Sequence, residues 1–207
     1  MTRIAEKAVL RKAMLAVLMN LDPRWVKAAS TRVCENLSRY VNALHTDGVM
    51  AVEHVLAWSS FFPGEIDLNL FIEGQLAAGR RVYLPQTRAD RSMQFIAINE
   101  AWADNAVAGL GGVPEPSADS GGIFDPHFAA STAIIVPGLA FDKQGCRLGR
   151  GRGFYDMFLA RSLMRSACVV GVSWELQIVP EVPVASHDHK IEALVTEAGV
   201  HLGSESA

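Results

Sequence analysis

The chain reads as one α/β domain: a three-layer, mostly parallel twisted sheet with helices on both faces, open and Rossmann-like in outline. Three observations predict it. Strand-like apolar runs alternate with stretches of helical periodicity, the pattern that builds a parallel sheet through helical crossovers. The run Ala133-Ile134-Ile135-Val136 is apolar without a break, as a strand covered on both faces must be. The chain has 207 residues, enough for one sizeable core, so residues 1–207 are taken as a single domain.

The elements follow in order. Residues 4–20 form an amphipathic helix with Ile4, Ala8, Leu10, Leu15 and Leu18 on its apolar side. Lys7 and Arg11 are four apart and share a face; on an arbitrary helix such a stripe usually faces water. Pro23 suits a first helical turn, and a second helix runs from about 23 to 44. Residues 50–58 read as a strand with Glu53 and His54 as polar interruptions, ending in the turn Phe61-Phe62-Pro63-Gly64. Asp67 caps a helix that runs to Ala78 and stops at Gly79. Strands are expected at 81–84, stopped by Pro85, and at 93–98. Residues 103–126 are dominated by Gly, Pro, Ser and Asp and read as a long loop, a length often tied to function. A glycine-rich segment then leads to a helix over 155–165, a strand over 168–174, a loop over 180–189 and a final strand near 191–196. In such a sheet, ligand loops emerge at the carboxyl ends of strands; the 61–65 turn and the 137–154 loop both follow strands.

Composition narrows the function. Half of the residues are apolar, a fifth are charged, and the net charge is −3. No global field favours nucleic acid or an anionic membrane, and no apolar run approaches the ~20 residues that span a bilayer. The charged opening Met1-Thr-Arg-Ile-Ala-Glu-Lys is no signal peptide, so a cytoplasmic location is expected. Cys34, Cys146 and Cys168 have no metal-ligand spacing, and their odd number argues against a disulfide framework. Cys34 and Cys168 read as packed core thiols, and Cys146 as a bystander. A monomer or weak dimer is expected.

The chemistry concentrates between the strand at 133–136 and the helix at 155. Four glycines (Gly145, Gly149, Gly151, Gly153) interleave with three arginines (Arg147, Arg150, Arg152). Glycine lets backbone amides approach a ligand, and guanidinium groups grip phosphate oxygens in a fork. A following helix N-terminus adds unpaired N–H groups. The segment therefore reads as a polyphosphate cradle, although its spacing matches neither the dinucleotide fingerprint nor the P-loop.

The residues Val136-Pro-Gly-Leu-Ala-Phe-Asp-Lys-Gln-Gly-Cys-Arg-Leu-Gly-Arg-Gly-Arg-Gly-Phe-Tyr-Asp156 resemble the signature of the 5-formyltetrahydrofolate cyclo-ligase family. Lys7-Ala-Val-Leu-Arg11, Pro63-Gly-Glu65-Ile66, Gly79-Arg-Arg-Val-Tyr-Leu-Pro85, Pro114-Glu115-Pro116, Val179-Pro180, His187-Asp188 and Thr196-Glu197 resemble further family segments in the same order. The resemblance implies an ATP- and Mg²⁺-dependent closure of 5-formyltetrahydrofolate to 5,10-methenyltetrahydrofolate, with a reduced folate, possibly polyglutamylated, as substrate. It implies ATP contacts at Lys7, Arg11, Arg147, Leu148, Gly149, Arg150, Gly151, Arg152, Gly153, Phe154 and Tyr155. Arg147, Arg150, Arg152 and Tyr155 are the residues it places nearest the chemistry. Folate contacts fall on Ser60, Glu65 and the stretch Arg150, Gly151, Arg152, Gly153, Phe154. Asp156 and Asp188 match Mg²⁺ ligands; from the residues alone, Asp156 also suits a helix cap and Asp188 an ordinary turn. Trp58, Phe61 and Phe62 suit apolar walls. The sequence departs from the family where Arg152 replaces a frequent glycine and where Met157 follows the final Asp. The alternative function is a non-catalytic nucleotide or folate binder on the same fold.

Overall fold

The computed structural model describes residues 2–88, 90, 92–117, 120–183 and 189–203. Two helices open the chain, α1 (Arg3–Met19) and α2 (Pro23–Thr46). Asp22 caps α2 by accepting the Arg24 N–H at 2.8 Å, with Pro23 filling the first turn where no donor is needed. Then come β1 (His54–Leu56), α3 (Asn69–Ala77), β2 (Arg81–Thr87), β3 (Met93–Ala97), β4 (Val107–Ala108) and β5 (Pro114–Glu115). The second half holds β6 (Thr132–Pro137), β7 (Ala140–Phe141), β8 (Arg147–Leu148), α4 (Phe154–Leu159), β9 (Cys168–Val172), β10 (Ala193–Val195) and β11 (Val200–Leu202).

Among the described residues the main sheet has seven strands in the order β11-β10-β9-β6-β1-β2-β3. The five inner strands are parallel, and the edge strands β3 and β11 run antiparallel to their neighbours. Side chains alternate between two cores. Val55, Val82, Leu84, Ala133, Ile135 and Val170 face α1, α2 and α3, meeting Val33, Leu37 and Phe71. Leu56, Tyr83, Ile134, Val136 and Val169 face the other way, onto α4 and short 3-10 turns carrying Phe158, Ala129 and Met164. The three-layer expectation is met, with one layer of long helices and one of short turns.

Several boundaries differ from the expected ones. The strand at 50–58 shrinks to β1, although backbone bonds from Glu53 to Ser131 and from Ala57 to Tyr83 extend its pairing by a residue each way. Pro85 does not stop β2. Its imide nitrogen faces the β1 side, and β1 pairing ends at Tyr83, so no ladder bond is lost while β3 pairs with the other side. Asp67 accepts the Asn69 N–H at 3.0 Å, a turn just ahead of α3, whose capping position is Leu68. The helix expected over 155–165 breaks into α4 and a 3-10 turn at 162–166. The strand expected over 168–174 ends at Val172, and β11 was not foreseen because Val200-His201-Leu202 is too short to show a period. Within 103–126 lie the β4–β5 pair and 3-10 turns at 102–105 and 110–112.

His54 makes the second of these cores, the lower one on the Tyr83 and α4 side of the sheet, sensitive to acid. Its ring is 5% exposed, stacks on Phe128 with centroids 4.6 Å apart and shares a 3.1 Å hydrogen bond with the Tyr83 hydroxyl. Burial, then the nearby Arg81 charge, holds its pKa below the ordinary 6.5. Below pH 6.5 the unfolded chain takes up a proton that the folded chain resists, so stability falls as pH descends from there toward the folded value. Urea titrations at falling pH are expected to show this loss in the parent, up to about 1.4 kcal/mol per pH unit, and a shallower slope in His54→Phe. Identical slopes would contradict it.

Candidate functional site

From β1 the chain moves through α3 to β2 on one side, whereas β6, on the other side of β1, leads away to β9. The carboxyl ends of β1 and β6 therefore flank the point where strand order reverses, the standard place for a crevice in an open α/β sheet. A cleft of about 280 Å³ opens there. Trp58 and Ser59 beyond β1, Thr87 of β2, Gly138 beyond β6 and Val172 of β9 are among the residues that line it.

The signature segment is a hairpin rather than an open loop. β7 and β8 pair antiparallel, with Phe141 opposite Arg147. Asp142, 3% exposed, organises the turn: one carboxylate oxygen accepts the N–H groups of Gln144 (3.0 Å) and Cys146 (2.9 Å), the other that of Val182 (2.9 Å). Gly145 turns the chain at φ +81°, and a Cβ there would meet the Ile191 carbonyl at 2.6 Å. Cys146 is buried, in keeping with a bystander.

This hairpin delivers Arg147. Its guanidinium is buried, donates to the Pro137 carbonyl at 3.1 Å, pairs with the Asp156 carboxylate and lies 5.7 Å from the centroid of the Tyr155 ring. Arg11 reaches from α1 and donates Nε–H to the Gly149 carbonyl at 2.9 Å. It passes beneath Gly151, where φ is +97° and an added Cβ would lie 3.4 Å from the guanidinium. Arg150 crosses the mouth to Glu65, N to O 2.7 Å, and stacks on Phe62 at 4.0 Å from its centroid. The second Glu65 oxygen accepts the N–H groups of Phe61 and Phe62, each at 3.0 Å, which fixes the carboxylate. Arg152 is exposed at the rim.

Among the described residues, two buried donors line this cleft without a protein acceptor, the Trp58 indole N–H and the Tyr155 hydroxyl. Burial drives the Tyr155 phenol far up, so it remains a neutral donor. Donors of this kind suit a ligand rich in acceptor oxygens. α4 has only six residues, so its macrodipole is modest and the arginines supply most of the positive field.

The structure thus brings Lys7, Arg11, Glu65, Asp156 and residues 147–155 to one cleft. Ser60 is not among the lining residues; its neighbour Ser59 is, and donates to the Pro114 carbonyl at 3.1 Å. Asp188 and His187 lie outside the described residues. Asp156 sits in the first turn of α4, but its carboxylate turns to Arg147 instead of capping. Sequence reasoning missed Thr87, Leu110, Val113, Gly138 and Gln177 as wall residues. Gln177 braces this lining by donating to the carbonyls of Gly138 (2.9 Å) and Leu139 (3.1 Å). Of the missed positions, Gly138 lies inside the signature segment and Val113 adjoins the Pro114-Glu115-Pro116 motif; the others carried no local signal.

Among the described residues no three His, Cys, Asp or Glu side chains gather as a metal cluster. Mg²⁺ needs less: one or two carboxylates, with phosphate oxygens and waters completing the shell. Asp156 fits that requirement when a nucleotide is present.

Fold and cleft together describe an α/β protein with a donor-lined cleft, suited to an anionic ligand, at the switch point of its sheet. Comparison with known proteins sharpens this. The 5-formyltetrahydrofolate cyclo-ligase family matches residues 3–197, and the chain belongs to that family. It is 30% identical over 151 residues to the 5-formyltetrahydrofolate cyclo-ligase of Escherichia coli (strain K12), covering 73% of this chain and 82% of that one. It is 31% identical over 171 residues to the Mycolicibacterium smegmatis cyclo-ligase, covering 78% and 80%. The solved Aquifex aeolicus 5,10-methenyltetrahydrofolate synthetase superposes with a TM-score of 0.75 at 26% identity, covering 97% of this chain and 94% of that one. The Mycoplasma pneumoniae synthetase shares the fold, with a TM-score of 0.71 at 18% identity.

Proposed function

We propose that this chain is a ligase that closes 5-formyltetrahydrofolate to 5,10-methenyltetrahydrofolate, consuming ATP with Mg²⁺ and releasing ADP and phosphate. The observation that carries the reading is the meeting of Glu65 with the arginine hairpin in one cleft. A pterin-binding carboxylate and a phosphate-binding turn must lie side by side if a phosphoryl group is to pass between their ligands.

The chemical difficulty sets the roles. A formamide carbon is a poor electrophile, and its oxygen is a poor leaving group. Phosphorylation of that oxygen cures both faults, and N10 of the folate then displaces phosphate. Phosphoryl transfer asks mainly for positioning and charge neutralisation, which arginines and amides supply without a protein nucleophile. Arg147, Arg150 and Arg152 face the transferred phosphoryl oxygens, with Lys7 and Arg11 toward the rest of the triphosphate. Tyr155 donates its hydroxyl to a phosphate oxygen. Asp156, with Asp188, holds Mg²⁺, which when bound supplies charge neutralisation on the phosphates. Glu65 accepts from the 2-amino group and ring N–H of the pterin; Phe61 and Phe62 flank the ring, and Ser60 contacts the folate from outside the cleft lining. We place the reaction in the cytoplasm, on a monomer or weak dimer.

In this structure Glu65 is committed to Arg150. Folate binding at Glu65 frees that arginine for the nucleotide. Glu65→Gln keeps the shape but weakens both pairings. A charged hydrogen bond contributes about 1.5–3 kcal/mol, so the KM for folate is expected to rise roughly tenfold or more. An unchanged KM would remove Glu65 from the folate site. The whole reading is tested by mixing purified protein with ATP, Mg²⁺ and 5-formyltetrahydrofolate. The near-ultraviolet absorbance of the methenyl product is expected to grow with one ADP per turnover, and ADP without that absorbance would refute it.

A further inference from the structure

Among the described residues three carboxylates line the cleft: Glu65, Asp156 and Glu115. The first two face arginines. Glu115 is 4% exposed and is held differently. One oxygen accepts the Thr87 hydroxyl at 2.6 Å and the other the Thr87 N–H at 3.0 Å. Among the described residues it makes no ion pair. Each oxygen therefore keeps a lone pair beyond the bond it accepts. Pro114 and Pro116 restrict the backbone on either side. Gly109 packs against the carboxyl so closely that an added Cβ would collide with it. The placement is tight, in a cleft wall, and nothing in the phosphoryl step uses it.

The second half of the reaction lacks a proton acceptor. N10 carries a hydrogen in the substrate and none in the product. We propose that Glu115 is the base that removes the N10 proton during ring closure; this rests on the reading above, in which N10 attacks a phosphorylated formyl group. The N10 lone pair forms the new bond to the formyl carbon. The bond from that carbon to the phosphorylated oxygen breaks, and its electron pair leaves with phosphate. The N10–H pair stays on nitrogen as the proton passes to the Glu115 carboxylate. Glu115 then hands that proton to the departing phosphate, which leaves as the monohydrogen form and restores the carboxylate. No oxidant or further reactant is needed.

Glu115→Gln keeps the shape and the Thr87 contacts, since the threonine hydroxyl can accept from the amide as readily as it donates. Single-turnover experiments on wild type and variant, with rapid quenching, separate the two steps. In the variant, ADP is expected to appear at close to the wild-type rate while methenyl absorbance slows about a hundredfold or more, the usual worth of a positioned base. Glu115→Ala provides a second readout: added formate is expected to restore part of the methenyl rate, which a packing role would not allow. Equal, undiminished rates of both steps in Glu115→Gln would show that the phosphate takes the proton itself and overturn the assignment. Equal slowing of both steps without formate rescue would overturn it too, in favour of substrate positioning. The wild-type trace distinguishes the two levels: wild type that forms no methenyl product refutes the parent reading instead.

Discussion

Replacing Arg147 with methionine is expected to cost both stability and nearly all turnover. Methionine keeps the length of the buried stem but removes the guanidinium from Asp156 and from the Pro137 carbonyl. Stripping one partner from a fully buried ion pair costs about 3–5 kcal/mol. The Asp156 side chain is 33% exposed, so water relieves part of that here, and about 2 kcal/mol is expected in urea unfolding. The catalytic loss is larger, because in the proposed function Arg147 orients the carboxylate that would hold Mg²⁺ and also meets the transferred phosphoryl group. Loss of one preorganised donor at a developing charge is worth about a hundred- to a thousandfold in kcat. A variant that unfolds earlier yet turns over normally would show that Arg147 is only a strut.

Gly64→Ala is expected to act on the folate side. Gly64 has φ +75°, a region that charges any other residue about 1–2 kcal/mol. A Cβ there would also strike the backbone carbonyl of Leu18 at the end of α1, which has no rotamer to yield. The Gly64 carbonyl in turn accepts the Trp174 indole N–H at 2.7 Å, so the turn cannot shift without disturbing the core. Glu65 is the next residue. Destabilisation of about 2–4 kcal/mol is expected, with a KM for 5-formyltetrahydrofolate that rises far more than the KM for ATP. Equal changes in both would mean that the turn does not carry the folate site.

The parts of this molecule that were legible in the sequence are those where one cause acts alone. Ala133-Ile-Ile-Val136 is apolar because β6 is covered by both layers, and α2 begins where Asp22-Pro23 permits a start. The glycine–arginine segment was legible as a turn bound for a site, and the structure folds it into the cleft wall, with Gly151 and Gly153 at positive φ. The errors came where tertiary context decided. Pro85 continues a strand because its neighbour on one side has already ended. The helix after Tyr155 stops early because Leu159 and Met164 both turn into the lower core through a 3-10 break. The walls supplied by Thr87, Leu110 and Val113 come from segments far apart in sequence, and no local period marks them. Within the signature, sequence could not apportion labour. Asp142 shapes the hairpin, Arg147 orients Asp156, and Arg11 anchors the Gly149 carbonyl, although all lie in motifs that look uniformly chemical.

In the proposed function the turn ahead of Tyr155 grips a nucleotide's terminal phosphate while Glu65 holds a folate in the same cleft. A crystal grown with a non-hydrolysable ATP analogue, Mg²⁺ and 5-formyltetrahydrofolate tests it most directly. The γ-phosphate is expected within hydrogen-bond reach of Arg147 and Arg152, with the pterin on Glu65 and Arg150 swung off that carboxylate toward the phosphates. An intact Glu65–Arg150 pair, with the nucleotide or the folate bound elsewhere, would contradict it.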